Sequence, residues 1–258
     1  MQPLLNIAVN AARAAGDVIA RYANQLEKIN ITAKGKSDYV SEVDIKAEQI
    51  IIHAIHKAYP EHGIIAEESG SYREDAENVW IIDPLDGTNN YLHGFPFYAV
   101  SIALRVQQRI EHAVVYDPLH HECFAASHGR GARLNDRRIR VSKQNQLINS
   151  MIGACLSTKQ HPEIAAHYAP KYESLSTKCQ SVRRTGSVAL DLAYVASGRL
   201  DGFWAVGLPI WDIAAGVLLV QEAGGFVNDF YGHSANLYQG EILASTPKIF
   251  KELTLCLQ

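Results

Sequence analysis

Residues 80–91 read WIIDPLDGTNNY, and the organisation of the chain follows from this stretch. An apolar run ends in two aspartates, Asp83 and Asp86, then a glycine and a threonine. Short apolar runs of this kind form buried strands. Two carboxylates crowded at the mouth of such a strand repel each other and lose hydration, so the fold needs something that offsets the cost. A bound cation is the leading candidate.

Working outward, the same pattern recurs. GIIAEES at 63–69 is an apolar run closed by Glu67 and Glu68, so adjacent strand ends would bring the carboxylates together. Far along the chain, Trp211-Asp212 opens a helix whose first turn would present a further carboxylate. Hard oxygen ligands from three separated segments, with no Cys or His among them, match what Mg²⁺ takes. A helix directly after Asp86-Gly87 would aim its backbone amides at an anion held by such metals. Strand end and helix start together supply both halves of a phosphate site.

Each residue alone has a plainer reading. Asp212 fits a helix-capping acid, Asp86-Gly87 a turn, Glu67-Glu68 solvated rim charges, and Ser41 with Asp44 a capping box. Capping does not account for WIIDPLDGTNNY and WDIAAGVLLVQEAGG in one chain. His53 and His56 stand three apart on a helix with no third ligand nearby and read as a solvated face. KGKS at 34–37 lacks the first glycine of a P-loop, and neither GxGxxG nor GxSxG is placed for its chemistry.

Composition sets the frame. With 47% hydrophobic and 20% charged residues, the 258-residue chain is an ordinary globular protein able to bury a sizeable core. Lys+Arg 24 against Asp+Glu 27 leaves a net charge of −3, which disfavours direct nucleic-acid binding. The N-terminal stretch is interrupted by Asn6, Asn10, Arg13, Asp17 and Arg21 at helical spacing, predicting an amphipathic helix rather than a leader or a membrane span. Four separated cysteines, Cys123, Cys155, Cys179 and Cys256, suit a reducing cytoplasm better than disulfides or zinc.

The remaining chain predicts a polar loop at ITAKGKSDY, then a helix with Val43, Ala47, Ile50, Ile51, Ala54 and Ala58 on one face. Five short strands and a hairpin turning at Asn135-Asp136 follow. The second half alternates strands with helices. This order implies an α/β protein of stacked helix and sheet layers. The polar stretch VSKQNQLINS places the best division near residues 141–150, giving segments 1–145 and 146–258.

EES at 67–69, DPLDGTNNY at 83–91 and WDIAAGVLLVQEAGG at 211–225 resemble the successive signatures of the inositol monophosphatase family. DYVSEVD, VVYDPLHHECFAASHGRGARLND and RRTGSVALDLAYVASGRLDGF are most similar to its SuhB-like bacterial branch. The resemblance implies a layered αβαβα sandwich and Mg²⁺-dependent, lithium-sensitive hydrolysis of a small phosphate monoester. Carried over, Glu67, Asp83 and the Leu85 carbonyl would hold one Mg²⁺, and Asp83, Asp86 and Asp212 a second. Asp44 and Thr88 would orient and deprotonate the attacking water. Asp86, Gly87, Thr88, Asn89 and Asp212 would contact the substrate, with Arg183, Gly186, Ser187 and Val188 lining its ring. Arg183 and Arg184 equally suit a dimer contact or the surface. Lys34 and Lys36 lie in the loop that relatives close over the metals.

One position departs from the pattern. Inositol-preferring relatives carry a glutamate seven residues before the second signature's aspartate, where this chain has Ala205. A methyl group cannot accept hydrogen bonds from ring hydroxyls, so a different ester preference is expected. Fructose-1,6-bisphosphatase and histidinol-phosphatase activities occur on the same scaffold. The resemblance also implies a homodimer, and the SuhB-like branch brings an interaction role with transcription antitermination factors.

Overall fold

The structure, a computed structural model, describes residues 2–23, 25–26, 29–35, 38–156, 162–233, 237–238 and 240–258. Of the loop calls, Lys36 lies outside the described residues, and Lys34 is described by its backbone alone. Among the described residues seven α-helices run in chain order: α1 (Pro3–Ala23), α2 (Glu42–Ala58), α3 (Thr88–Leu92), α4 (Pro162–Lys178), α5 (Val188–Ala196), α6 (Ile210–Glu222) and α7 (Pro247–Leu257).

The larger sheet has eight strands: β3 (Gly63–Ala66), β4 (Gly70–Tyr72), β5 (Asn78–Asp86), β6 (Ala99–Val106), β7 (Arg109–Asp117), β8 (Glu122–Ser127), β9 (Gly131–Leu134) and β10 (Arg137–Arg138). Its spatial order is β10-β9-β8-β7-β6-β5-β3-β4. The smaller, ordered β12-β11-β13-β15-β14, comprises β11 (Met151–Leu156), β12 (Ser181–Arg183), β13 (Gly202–Val206), β14 (Phe226–Asn228) and β15 (Ile242–Ser245).

Strand alternation generates the layers. In β5, Trp80 and Ile82 join the core under α1 and α2, while Val79 and Ile81 face a core shared with α5 and α6. In β13, Phe203 and Ala205 belong to that same central core, and Trp204 and Val206 pack into a third with α4 and α7. The order is therefore α1/α2, sheet, α5/α6, sheet, α4/α7: the αβαβα sandwich. No helix among the described residues is long and apolar enough to cross a membrane.

Several expectations change. ITAKGKSDY, expected as a loop, forms a two-stranded ladder of β1 (Ile31–Gly35) and β2 (Asp38–Ser41), with Thr32 opposite Val40. The lysines and glycine of AKGKS obscured two short strands that, among the described residues, pair with each other alone. Of the stripe expected on α2, Val43, Ala47 and Ile51 are buried, while Ile50 and Ala54 are half-buried and Ala58 is exposed; Asp44, Glu48 and Ile55 complete the buried side. Two acids thus lie on the buried side. The Asn135-Asp136 hairpin turn forms with both residues at positive φ, 46° and 65°.

Candidate active site

A regular strand sends residues three apart to opposite faces. Between Asp83 and Asp86 the ladder slips, because Asp83 pairs with Ser101 and Asp86 with Ala99, leaving one extra residue on β5. Pro84 fits this bulge, having no N–H to lose from the ladder. The bulge keeps Leu85 in the α1/α2 core while Asp86 reaches α5.

Asp86 lies at the N-terminus of α5, where the Ser187 hydroxyl and the Ala189 amide each donate to its Oδ2 at 2.6 Å. Burial pushes its pKa up to about 6, opposed by those two hydrogen bonds. Asp212 occupies the first turn of α6, whose N-cap, Pro209, supplies no side-chain bond. The Asp212 carboxyl is held well above the usual range, by burial first and then by the charges of Asp86 and Glu67. Asp83 is raised well above it too, by burial and then by Glu67, Asp86 and Asp212. The proximity of the Glu67 carboxyl to that of Asp83 adds to the rise.

Four carboxyls from β5, the turn after β3 and α6 therefore converge closely enough to oppose each other's ionisation. Among the described residues, no group of three or more His, Cys, Asp or Glu already stands in a metal-holding arrangement. The donor chemistry nevertheless fits a hard divalent cation: carboxylates only, Asp83 and Asp86 buried and Glu67 and Asp212 partly so, with ionisation of the three aspartates disfavoured.

The surrounding residues fix this cluster. Glu48 is 3% exposed, and its carboxylate accepts from the amides of Glu68 at 2.9 Å and Ser69 at 2.8 Å, clamping the turn that carries Glu67. One turn earlier on α2, Asp44 completes the capping box with Ser41, its Oδ2 accepting from the Ser41 amide at 3.0 Å. Its Oδ1 accepts from the Thr88 hydroxyl at 2.9 Å. Capping and site membership are thus compatible for Asp44. Burial raises its pKa against the hydrogen bonds from Ser41 and Thr88. The single Thr88 proton has a second acceptor, the Leu85 carbonyl at 3.0 Å.

Gly87 caps α3 at a φ of 99°, and a Cβ there would stand 3.0 Å from the Phe97 carbonyl, so only glycine permits this turn. Asn89 is exposed beside it. Gly186 has a φ of 91° and packs against Asn90, whose Nδ2 donates to the Thr185 and Phe97 carbonyls. Ser187 is fully buried and engaged by Asp86, Val188 lies in the central core, and Arg183 and Arg184 are exposed, donating to the Val182 and Leu156 carbonyls. Ala205 is fully buried, paired with Cys155, whose thiol is pushed up to about 12 by burial and then by the Asp212 charge.

Three supporting residues went unassigned in the sequence: Glu48, Asp191 and Thr185. Asp44 and Glu48 stand four apart on an otherwise apolar stripe, a signal that was available. Asp191 accepts from Thr185 at 2.8 Å across a turn that no local pattern announces.

The comparisons with known proteins match the chain over its full length. The model of the inositol monophosphatase family matches residues 1–258. The chain is 48% identical to the Nus factor SuhB of Pseudomonas aeruginosa, covering 100% of this chain and 97% of that one. Among solved structures, the extragenic suppressor protein suhB of Bartonella henselae superposes with a TM-score of 0.95 at 41% identity, covering 100% and 99% of the two chains. An inositol monophosphatase from Anabaena superposes with a TM-score of 0.87 at 37% identity, covering 98% and 94%. The extent of these matches supports phosphatase activity, and the chain belongs to the inositol monophosphatase family.

Proposed function

We propose that this chain hydrolyses a small phosphate monoester of a sugar or polyol, inositol 1-phosphate or a relative, using Mg²⁺ in the cytoplasm. The observation that carries the reading is the Thr88 hydroxyl donating to Asp44 beside four carboxyls that raise one another's proton affinity. Glu67, Asp83 and the Leu85 carbonyl would hold one ion, and Asp83, Asp86 and Asp212 another. Bound there, Mg²⁺ supplies positive charge that acidifies water and neutralises the phosphoryl oxygens and departing alkoxide.

The chain's own groups do the rest. Once the Leu85 carbonyl is engaged elsewhere, the Thr88 proton has Asp44 as its remaining acceptor. Thr88 in turn accepts a proton from water, and burial of Asp44 makes it a stronger base than a solvated aspartate. The amides of Gly87 and Thr88, with Asn89, bind phosphate oxygens, and the segment of Arg183, Gly186, Ser187 and Val188 borders the substrate ring. Ser187 serves it indirectly, through Asp86.

Ala205 sets the preference. Without a carboxylate there, each unmatched ring hydroxyl forfeits a charge-assisted bond worth ~1.5–3 kcal/mol. A phosphate-release screen over inositol, sugar, nucleotide and histidinol phosphates, with and without Mg²⁺ and with Asp83→Asn, tests the reading. Release that needs neither Mg²⁺ nor Asp83 refutes it. Turnover of inositol 1-phosphate equal to that of glutamate-bearing relatives refutes the assignment of Ala205, as does Ala205→Glu leaving the preference unchanged.

A second role, as a homodimer binding transcription antitermination factors on its outer surface, is supported by the 48% identity to a protein named Nus factor SuhB. Capture of those factors from extract by Asp83→Asn would separate it from catalysis, and failure of the native chain to capture them would remove it.

A further inference from the structure

A cavity of about 700 Å³ opens between the N-terminal half of α1 and strands β8 and β9, and none of its lining residues belongs to the acidic site. Its floor is apolar, built from Leu5, Val9, Ala125 and Ala126. Its rim carries three guanidinium groups, Arg13, Arg130 and Arg133, all exposed. Among the described residues none of the three is paired with a carboxylate; Arg133 donates only to the Asp136 carbonyl, at 3.4 Å. Asp136 is the one acid on that rim. With no carboxylate on them, these solvent-facing guanidiniums leave positive charge free around an apolar floor, where an anionic head could replace water.

The rim is also held in place. Glu222, the last residue of α6, accepts from the amides of Gly129 at 2.7 Å and Gly131 at 2.6 Å, fixing the turn that carries Arg130. Gly131 continues into β9, which carries Arg133. The volume falls within the range of small-molecule sites. A bare phosphate would leave the floor wet, and an amphiphilic cation would be repelled by the rim.

We infer that this cavity binds an amphiphilic anion: a carboxylate, sulfonate or phosphate head on the arginines, with a medium-length apolar body on the floor between α1 and β8. The site is separate from the acidic centre and does not depend on the function proposed for it.

Calorimetric titration of the full chain with decanesulfonate and decanoate, below their micelle concentrations and with Mg²⁺ present, tests the inference. Saturable binding of one molecule per chain is expected, weakened about tenfold by Arg130→Gln and again by Arg133→Gln. Ala125→Leu should also weaken it by filling the floor. Decyltrimethylammonium and inorganic phosphate should show no binding at the same concentrations. Equal binding of the cation, unsaturable uptake, or affinity unchanged in the arginine double variant would overturn the inference. So would concentration-dependent self-association lost in the same variants, which would assign the face to a second copy of the chain.

Discussion

Glu48 offers the most discriminating perturbation, because it touches neither proposed substrate nor the Thr88–Asp44 pair and acts only on the turn that carries Glu67. Its two oxygens accept from consecutive amides at 2.9 and 2.8 Å, with Glu67 immediately before the first of them. Glu48→Gln keeps one acceptor and turns an NH₂ group toward the other amide, so one charge-assisted bond is lost, about 1.5–3 kcal/mol. The Ser69 end of the turn is exposed, and water there moderates the loss. A loosened turn releases Glu67 from its position, and loss of a residue supporting a metal ligand typically costs about 10–100-fold in metal affinity. The Mg²⁺ concentration for half-maximal phosphate release should rise by that factor, while kcat at saturating Mg²⁺ stays within about threefold of the native enzyme. Glu48→Ala should be worse in both stability and Mg²⁺ dependence. A Glu48→Gln enzyme with native Mg²⁺ dependence, or a kcat loss that added Mg²⁺ does not restore, would refute the positioning role.

Asp44→Asn and Thr88→Ala should show the opposite split, with kcat falling about 10²–10⁴-fold and Mg²⁺ half-saturation near native; equal shifts in both quantities would contradict the proton-transfer assignment. Gly216→Ala would place a methyl 2.5 Å from the Leu192 Cβ, where α6 meets α5. Overpacking of that kind costs about 1–3 kcal/mol, read from urea unfolding, and a cost under ~0.5 kcal/mol would mean that the two helices slide apart freely. Asp191 is held well above the usual carboxylate range by burial, with the Thr185 hydrogen bond lowering it and the Asp86 charge raising it. Because its folded pKa exceeds its unfolded value, stability is lost as pH rises through the folded pKa. Asp191→Asn should therefore gain on the native protein as pH increases, and a constant stability gap from acid to neutral pH would be inconsistent with a buried ionising carboxyl.

The legible parts of the fold were those with a period. Alternation announced the main strands, and the Asn135-Asp136 pair announced its own hairpin. The β1–β2 ladder carried no such signal, since its strands are five and four residues long and a lysine- and glycine-bearing stretch joins them. Within the site, carboxylates at apolar run ends marked Glu67, Asp83 and Asp86, because charge at the close of a buried strand is costly wherever it occurs, and Asp212 was marked by its place at the start of a helix. The one-residue bulge that orients Asp83 and Asp86 was not legible, because it exists only in the pairing of β5 with β6. Nor was the link from Asp86 to Ser187, which spans 101 residues and depends on where α5 begins.

That link constrains how substrate preference can change in this fold. The segment from Thr185 to Ala189 is tied at four points: Asn90 to the Thr185 carbonyl at 2.9 Å, Thr185 to Asp191 at 2.8 Å, and both the Ser187 hydroxyl and the Ala189 amide to Asp86 at 2.6 Å. A substitution that reshapes it also moves a carboxylate of the acidic cluster, so altered specificity there carries a loss of cation binding. Ala205 is under no such constraint. It is fully buried, donates and accepts nothing through its side chain, and lies on the strand beside Cys155, whose thiol feels the Asp212 charge. Exchange at this position leaves the hydrogen bonds around Asp86 intact, because no side-chain hydrogen bond joins Ala205 to the acidic cluster. Under the proposed assignment, substrate preference at this β13 position and cation binding on β5 and α5 therefore vary separately.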